Sequence, residues 1–552
     1  MTDLIGKVSA TERHPTTVDT FNFWIQDDTI VRPFDIVKVE HYQGSVTYGV
    51  IEEISHITDS AGHLGSYVSA DFGDPKAEPE TLRLGLSYAR CTVLSNHPKS
   101  HATEQIYMPI RDGSVVYFAN EEEVIEALGL KNIDNPIPAG YIETSRATVP
   151  INFNRKFLIG PEGAHVNISG ISGLATKTSY AMFLLQALQQ KVDDVAFIIL
   201  NVKADDLLRL DEENPIEKQR HQSKSDFEKS GLTWKPFENV YYFYPYQKDP
   251  DKYYSNTHLS TEILTEQHKQ QRAFNYIYTY EDDRDNIDLL FSNIDDPNQT
   301  IDSILNEVAE NPEFNNLTTW ESFLQEVGEY TKKGHGRSKD INIASWRKFK
   351  RLIRKSVKND IFQTNAGNKE KRQERLRNKI HNINSGEVFV VDIARLNEQL
   401  QYFVFGDVAK AVYDLKLGET ERDEDDIPNQ IVIFVDELNK YAGSSSPKNS
   451  PILNTILEIT ERGRSMGVVL FSAEQFKSDV HDRAKGNCST HVYGRTNAIE
   501  ISKSDYRFIP KVFSNMMTRL SKGELVIEHP IFRTLLKIKF PFPSYHQNQE
   551  EG

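Results

Sequence analysis

Residues 170–179 have the types and the spacing of a phosphate-binding loop. Two glycines are followed by a Lys-Thr pair and then by a helix-forming run. In such a loop the glycines let backbone N–H groups surround the phosphates, the lysine reaches the β- and γ-phosphate oxygens, and the threonine hydroxyl binds Mg²⁺. We therefore predict ATP and Mg²⁺ as cofactors. The residues predicted to contact the nucleotide are Gly170, Ser172, Gly173, Leu174, Ala175, Thr176, Lys177, Thr178 and Ser179.

This loop departs from the usual pattern in two ways. Gly170 lies seven residues before Lys177, one more than usual, and Thr176 stands where a glycine normally precedes the lysine. A Cβ atom at that position projects where the backbone should approach the phosphates closely. We therefore expect hydrolysis to be slow or to depend on a partner.

Two carboxylates follow the apolar run 432–435, which is typical of a buried strand. The run places Asp436 and Glu437 at its carboxyl end, where open α/β folds bind their ligands. Asp436, together with Thr178, is predicted to hold Mg²⁺, and Glu437 to polarise the water that attacks the γ-phosphate. A strand entering a polar turn gives the same local pattern. The combination with the loop favours the nucleotide site.

Two further side chains are candidates for catalysis. In residues 460–467, two arginines flank Gly463 near a predicted helix end. We predict Arg462 to be an arginine finger, a cation that enters the site of a neighbouring subunit; pairing with the helix dipole is the alternative. Gln475, after the next apolar run, is predicted to sense the γ-phosphate, and an ordinary surface glutamine is the alternative.

The elements that position these residues fall into three parts. Residues 1–150 contain short alternating segments separated by turn residues, which predicts a small β-barrel followed by a short linker helix capped by Asn120. Residues 151–204 and 385–552 alternate apolar strands and helices, which predicts an α/β fold with a RecA-like ATPase core. Residues 205–384 are polar and helical in propensity, and we predict an inserted helical subdomain. The predicted core strands include 156–160, 166–169, 195–202, 386–392, 431–435 and 467–472.

Charge and composition limit the function classes. The chain of 552 residues has a formal net charge of −16, which argues against coating nucleic acid with the whole surface. Basic residues are concentrated in residues 346–382, which could line a channel or form a solvated helix face. No apolar run is long enough to cross a bilayer, the start lacks a secretory signal, and only two cysteines occur. We therefore expect a cytoplasmic protein without membrane contact.

The order of these motifs resembles the HerA family, hexameric DNA-translocating ATPases related to the FtsK motors. The resemblance rests on the barrel, the phosphate loop, the insertion, the Asp436 strand end, the R-G-R-x-x-G helix end and the Ser472 to Gln475 strand end. It implies a barrel like that of ATP-synthase subunits, a homohexamer and double-stranded DNA as a partner. It also places Arg462 on the family's trans-acting arginine and Arg495 on a late-strand arginine. Ser465 replaces a lysine of the family pattern, and two residues separate Ser472 from Gln475.

The same resemblance implies a separate effector enzyme, such as a nuclease or a sirtuin-like NADase, in a bacterial anti-phage defence pair. The predicted function is an ATP-hydrolysing ring motor, a DNA translocase or helicase-like protein, that acts with this effector. The alternative is a ring scaffold that ATP stabilises and that activates the effector without processive translocation. A monomeric nucleotide-binding protein is a third possibility.

Overall fold

The computed structural model describes residues 4–40, 42–69, 71–74, 76, 84–98, 106–171, 176–296, 299–332, 341–365 and 367–547. Its first part is a closed antiparallel barrel with the strand order β1-β2-β5-β4-β3-β6, which confirms the predicted barrel. Alternate side chains such as Phe21 and Phe23 point inward and fill it. Its elements are β1 (Leu4–Ser9), β2 (Thr20–Ile25), β3 (Ile36–Glu40), β4 (Val46–Thr58), α1 (His63–Ser69), β5 (Gly85–His97) and β6 (Val115–Phe118).

A short helix, α2 (Glu121–Ala127), follows the barrel, as the sequence predicts. Asn120 caps it, and the Asn120 and Glu123 side chains bond reciprocally to each other's backbone N–H groups. On the barrel side, Lys38 forms an ion pair with Glu123 at 2.5 Å, and the Tyr48 hydroxyl donates to Glu126 at 2.9 Å. These contacts fix the barrel against the linker helix.

Strands and helices then alternate through the rest of the chain. The first group is β7 (Pro136–Glu143), β8 (Thr148–Asn154), α3 (Arg155–Leu158), β9 (Val166–Ser169), α4 (Thr176–Lys191) and β10 (Val195–Asn201). The second is α5 (Glu217–Lys229), β11 (Val240–Pro245), α6 (Thr261–Lys269), β12 (Ala273–Thr279), α7 (Tyr280–Asp283), α8 (Thr300–Glu310), α9 (Pro312–Asn315), α10 (Trp320–Glu329), α11 (Ile343–Val357), β13 (Phe362–Gln363), β14 (Gln373–Arg375) and α12 (Leu376–His381).

The last group closes the fold. It comprises β15 (Val388–Asp392), α13 (Glu398–Lys416), β16 (Gln430–Asp436), α14 (Pro451–Met466), β17 (Val468–Glu474), α15 (Asp482–Gly486), β18 (Thr490–Tyr493), α16 (Ala498–Ile501), α17 (Lys511–Met517), β19 (Glu524–Glu528) and β20 (Leu536–Lys539). Short 3₁₀ turns connect several of these elements.

One large sheet organises these elements in the order β13-β12-β11-β15-β10-β16-β17-β9-β18-β19-β20-β7-β8, with β14 beside β12. The strands from β13 to β18 are parallel, and β19, β20, β7 and β8 extend the sheet antiparallel. The central strands are buried on both faces, because α4 covers one face while α13 and α14 cover the other. This arrangement brings the carboxyl ends of β10, β16, β17 and β9 to one edge.

The structure corrects the description of residues 205–384 as an inserted helical subdomain. The segment contains helices, but β11 and β12 lie in the main sheet, where β11 pairs with β15. Their sequences, VYYFYP and AFNYIYT, are rich in aromatic residues, which favour strands, and polar flanking segments conceal them in the sequence.

A second correction concerns the predicted strand at residues 156–160. Residues Arg155–Leu158 form the short helix α3, because the Asn154 side chain caps them by accepting from the Lys156 N–H at 2.9 Å. The strand that leads into the phosphate-binding loop is β9 alone.

Among the described residues, no helix combines the length and the apolar character that a membrane span requires.

Candidate functional site

The chain leaves the sheet at Gly170, directly after β9. The Gly170 N–H donates to the Glu474 carbonyl at 3.2 Å, and the Ile171 N–H donates to the Arg495 carbonyl at 2.7 Å. Gly170 has a φ of +154°, and a Cβ atom there would lie 3.1 Å from the Gly494 Cα. Glycine is therefore required where the turn passes between two neighbouring strand ends.

Lys177 and Thr178 lie in the first turn of α4, beyond this bend. Lys177 is buried, and its ammonium group donates to the Gly170 carbonyl at 2.8 Å. Thr178 is half-buried, and its hydroxyl lies 3.5 Å from Asp436 Oδ2. Thr176 and Ser179 are buried beside them, and Ser179 Oγ accepts from Gln547 Nε2 at 3.2 Å. Ser172, Gly173, Leu174 and Ala175 lie outside the described residues.

Asp436 and Glu437 occupy the carboxyl end of β16, two strands away from β9. Both are buried. The Glu437 N–H donates to the Ala473 carbonyl at 2.6 Å, and Glu437 adopts a left-handed backbone conformation with φ 62°. Such a backbone is unfavourable for a residue with a side chain, and strained residues of this kind concentrate at functional sites. One edge of the sheet thus brings together Lys177, the predicted metal ligands Thr178 and Asp436, and the predicted water-activating carboxylate of Glu437.

Lys203 is a member of this site that sequence reasoning missed. It follows β10, and its ammonium group bridges Asp436 Oδ2 at 3.0 Å and Glu437 Oε1 at 2.8 Å. Its side chain is 42% exposed, whereas those of the two carboxylates are 6% and 9% exposed. The signal in the sequence is position, since a lysine just after a buried parallel strand lies at the ligand-binding edge.

The charges of four side chains in this site affect one another: Lys177, Lys203, Asp436 and Glu437. Burial raises the pKa of Glu437, but the hydrogen bond and charge of Lys203 outweigh it and hold the pKa below its usual value. Burial lowers the pKa of Lys203, but Asp436 and Glu437 reverse this and raise it. The pKa of Lys177 is lowered, mainly by burial. Glu437 is thus kept ionised, as a water-polarising group requires.

Glu474 is a second residue that the sequence analysis did not single out. It ends β17, is fully buried, and accepts a short hydrogen bond from Asn167 Nδ2. Burial raises its pKa to about 8, although Asn167, Lys477 and Lys177 act against this shift. A buried carboxyl group with a strongly raised pKa beside a ligand-binding edge indicates a functional position.

The donor set at this edge fits ATP and Mg²⁺. The Thr178 hydroxyl and the Asp436 carboxylate are hard oxygen ligands of the kind that Mg²⁺ prefers, and they already lie 3.5 Å apart. Lys177 supplies a buried positive charge at the start of α4, where the helix dipole also favours phosphate. Lys203 already contacts the Asp436 carboxylate, so a metal ion there would displace this contact or share the carboxylate with Lys203.

Gln475 lies one residue beyond β17 and is half-buried. It therefore stands at the same edge of the sheet as Asp436, as the sequence predicts. Its role as a γ-phosphate sensor stays a prediction.

Arg462 lies at the opposite edge of the sheet from the nucleotide residues. It is exposed near the end of α14, and β17 begins two residues after that helix ends. Arg462 therefore lies near the amino end of β17, whereas the nucleotide residues lie at the carboxyl ends of the strands. The seven residues of β17 span about 23 Å, so Arg462 cannot reach the site of its own chain. Arg464, in the same turn, donates to the Glu162 carbonyl at 3.0 Å.

Arg495 lies beside the phosphate-binding turn. Its carbonyl accepts from the Ile171 N–H, and its side chain is exposed. Arg495 therefore contacts the start of the loop in its own chain through its backbone, and its side chain is exposed.

The parallel sheet, the glycine turn, the Lys177–Thr178 pair and the Asp436–Glu437 pair together have the arrangement expected of a P-loop nucleotide-binding core. No family model matches the sequence, and no curated protein is significantly similar to it. Solved structures with a similar chain path are known, at low identity and with TM-scores below 0.5, so the assignment rests on the residues of this site.

Two of these structures are of the plasmid coupling protein TrwB. In complex with the GTP analogue GDPNP it is 10% identical, with a TM-score of 0.42, covering 74% of this chain and 92% of that chain. In complex with ADP and Mg²⁺ it is 11% identical, with a TM-score of 0.40, covering 70% and 87%. The genome packaging NTPase B204 from Sulfolobus turreted icosahedral virus 2, with ATP-gammaS, is 16% identical, with a TM-score of 0.22, covering 30% and 70%.

Proposed function

We propose that the chain is an ATP-hydrolysing motor that assembles as a homohexamer and moves double-stranded DNA. The observation that carries the proposal is the meeting of Lys177, Thr178, Asp436 and Glu437 at the carboxyl edge of a parallel sheet. Phosphoryl transfer depends on positioning and charge neutralisation more than on covalent chemistry, and these four residues supply both.

The residues divide the work. Lys177 neutralises the β- and γ-phosphate oxygens, and Thr178 and Asp436 hold the metal ion, which when bound neutralises the same oxygens. Glu437, ionised next to Lys203, orients and polarises the attacking water. The left-handed backbone at Glu437 fixes the direction of its carboxylate.

The place of Arg462 favours an assembly. Because it stands at the far edge of its own sheet, it can act as an arginine finger only in the site of another copy. A ring of copies places each chain's α14 end against the next chain's site. The resemblance to HerA proteins supports six copies.

The resemblance also supports the wider role that we propose. The motor would act with a separate effector enzyme, a nuclease or a sirtuin-like NADase, in anti-phage defence. We place it in the cytoplasm, and both cysteines, Cys91 and Cys488, are buried and unpaired, as a reducing compartment favours.

One observation favours the second candidate, a ring scaffold. Lys203 bridges the metal-binding and the water-polarising carboxylates, so hydrolysis has to compete with this ion pair. A site that binds ATP but hydrolyses it slowly suits a scaffold that ATP stabilises.

Triplex displacement by the wild-type protein, with Glu437→Gln as the hydrolysis-deficient control, separates the two functions. For a motor, the variant binds ATP and forms rings in mass photometry, but it no longer displaces a third strand from a triplex on duplex DNA. The wild-type protein should displace it in an ATP-dependent manner. Wild-type rings that hydrolyse ATP without any displacement would refute the motor and leave the scaffold.

A further inference from the structure

The helix α11 is amphipathic, with one apolar and one strongly basic face. Trp346, Phe349 and Ile353 are buried on the first face. The second face carries seven cations along α11 and its C-cap, six of them exposed. These cations are Arg347, Lys348, Lys350, Arg351, Arg354, Lys355 and Lys358. Most of them line a shallow groove of about 400 Å³ together with Thr331.

These cations differ from three later basic residues of the segment 346–382. Further along, Arg375 pairs with Asp282 and Asp283, Arg377 pairs with Asp407 and Asp414, and Lys379 pairs with Glu374. Those residues hold the fold together. On α11, by contrast, none of the seven forms an ion pair with any residue that the structure describes.

The apolar face of α11 holds the basic face in a fixed position. Trp346 packs against Tyr330 with ring centroids 4.5 Å apart, and Phe349 stacks on Phe291 at 5.0 Å. Ser356 Oγ lies 3.4 Å from Gln399 in the first turn of α13, which follows the carboxyl end of β15. The last turn of α11 thus packs near the same edge of the sheet as the nucleotide site.

Cations that form no ion pair, held on a packed helix, attract a polyanion. From residue 347 to residue 358 the face extends about 16 Å, along which duplex DNA presents one charge every 1.7 Å or so. Single-stranded nucleic acid is usually gripped by aromatic side chains that stack on bases. The aromatic residues of α11 are all buried, so this face offers phosphate contacts and no base stacking.

We propose that the basic face of α11 binds the phosphate backbone of double-stranded DNA without sequence preference. The proposal deepens the proposed function, since it names the surface through which the motor would hold its track. It does not depend on ATP, because the cations belong to the insertion and not to the nucleotide site. Failure of ATP binding and failure of this surface can therefore be told apart.

Charge reversal on two exposed neighbours tests the surface. In nucleotide-free protein, Arg351→Glu/Lys355→Glu should weaken the binding of a fluorescein-labelled 30-base-pair duplex about 10- to 100-fold, measured by fluorescence anisotropy near physiological salt. The slope of log affinity against log salt should become shallower by about 2, because two phosphate contacts are lost. The milder Arg351→Gln/Lys355→Gln should lie between this variant and the wild type.

A matched control makes the same change in net charge on two helices away from α11. Lys218→Glu/Lys511→Glu reverses two exposed lysines in the first turns of α5 and α17, where glutamate suits the helix dipole. It should bind duplex as the wild type does. Thermal melting by circular dichroism checks that every variant is folded.

Two results would overturn the proposal. One is equal duplex affinity of the folded α11 variant and the wild type. The other is a wild type that binds a single strand of the same sequence more tightly than the duplex. If ATP binding fails while the α11 effect holds, the motor proposal fails and this surface stands.

Discussion

The nucleotide site and the basic face of α11 both concentrate charge, but they treat it in opposite ways. At the sheet edge, Lys203 bridges Asp436 and Glu437, and Lys177 lies in the field of the same carboxylates. On α11 six of the seven cations are exposed, and none of the seven forms an ion pair with the described residues.

This difference separates two kinds of function. Buried charges have to be compensated, and their compensation fixes each protonation state and orientation before a ligand arrives. Exposed charges need no partner in the folded chain, so the cluster on α11 is available to a long polyanion. Arg462 is exposed in its own chain, like the cations of α11. In our proposal it acts instead in the nucleotide site of a neighbouring copy.

Removal of the Arg462 side chain should give the largest change, a loss of ATP turnover. Arg462→Ala should leave ATP binding unchanged and reduce turnover about 10³-fold, because transition-state charge loses its cation. Arg464→Ala, in the same helix turn, is the matched control and should reduce turnover far less. Steady-state phosphate release measures both.

Mixing two inactive variants shows whether Arg462 acts in a neighbouring copy. Arg462→Ala and Glu437→Gln chains should regain turnover when they are mixed, because some interfaces then combine an intact Arg462 with an intact Glu437. Mixtures without any recovery would contradict a role in trans, even if each variant is inactive alone.

Removal of Lys203 should have an intermediate effect, on metal binding. Lys203→Met leaves Asp436 and Glu437 without their cation, so the Mg²⁺ concentration at half-maximal binding of fluorescent ATP should fall several-fold. The nucleotide-free protein should melt at a lower temperature and recover with Mg²⁺. Lys203→Arg keeps the charge and serves as control. An unchanged Mg²⁺ midpoint would show that Lys203 does not compete with the metal.

Glu474 should give the smallest effect, seen in the pH dependence of stability. Its pKa in the folded protein is raised to about 8, from an ordinary 4.5. The stability that the protonated carboxyl contributes is complete below the lower value and is lost as the pH rises through about 8. Glu474→Gln stays neutral, so its melting temperature relative to the wild type should rise between pH 5 and about pH 8.5.

Glu458→Gln makes the same chemical change on the exposed side of α14 and is the control for this experiment. Its melting temperature should follow that of the wild type across the range. A constant difference between Glu474→Gln and the wild type would mean that Glu474 is ionised throughout.

The sequence predicted the elements whose signal is local. The alternation in residues 20–25, the cap at Asn120 and the apolar run before Asp436 each specify their element, and the structure has them where they were expected. The pairing of Lys177 and Thr178 with Asp436 followed from a general rule, since parallel strands present their carboxyl ends at one edge.

The remaining features depend on contacts between distant parts of the chain. Lys203 acquires its role only when β10 lies beside β16, and Glu474 only when Asn167 and burial act on it. The strands β11 and β12 were concealed because their polar flanks resemble those of helices. In the sequence, the exposed cations of α11 look like Arg375 and Arg377, until the carboxylates that pair with these two arginines are placed.

The central claim is that ATP binds where Lys177 faces the Asp436–Glu437 pair, and calorimetric titration of ATP with Mg²⁺ tests it most directly. Lys177→Met should weaken binding at least about 30-fold, because a buried charge that contacts phosphate is lost. Lys191→Met, at the exposed end of the same helix, should bind ATP as the wild type does. If folded Lys177→Met protein binds ATP with wild-type affinity, the nucleotide site lies elsewhere and the account is wrong.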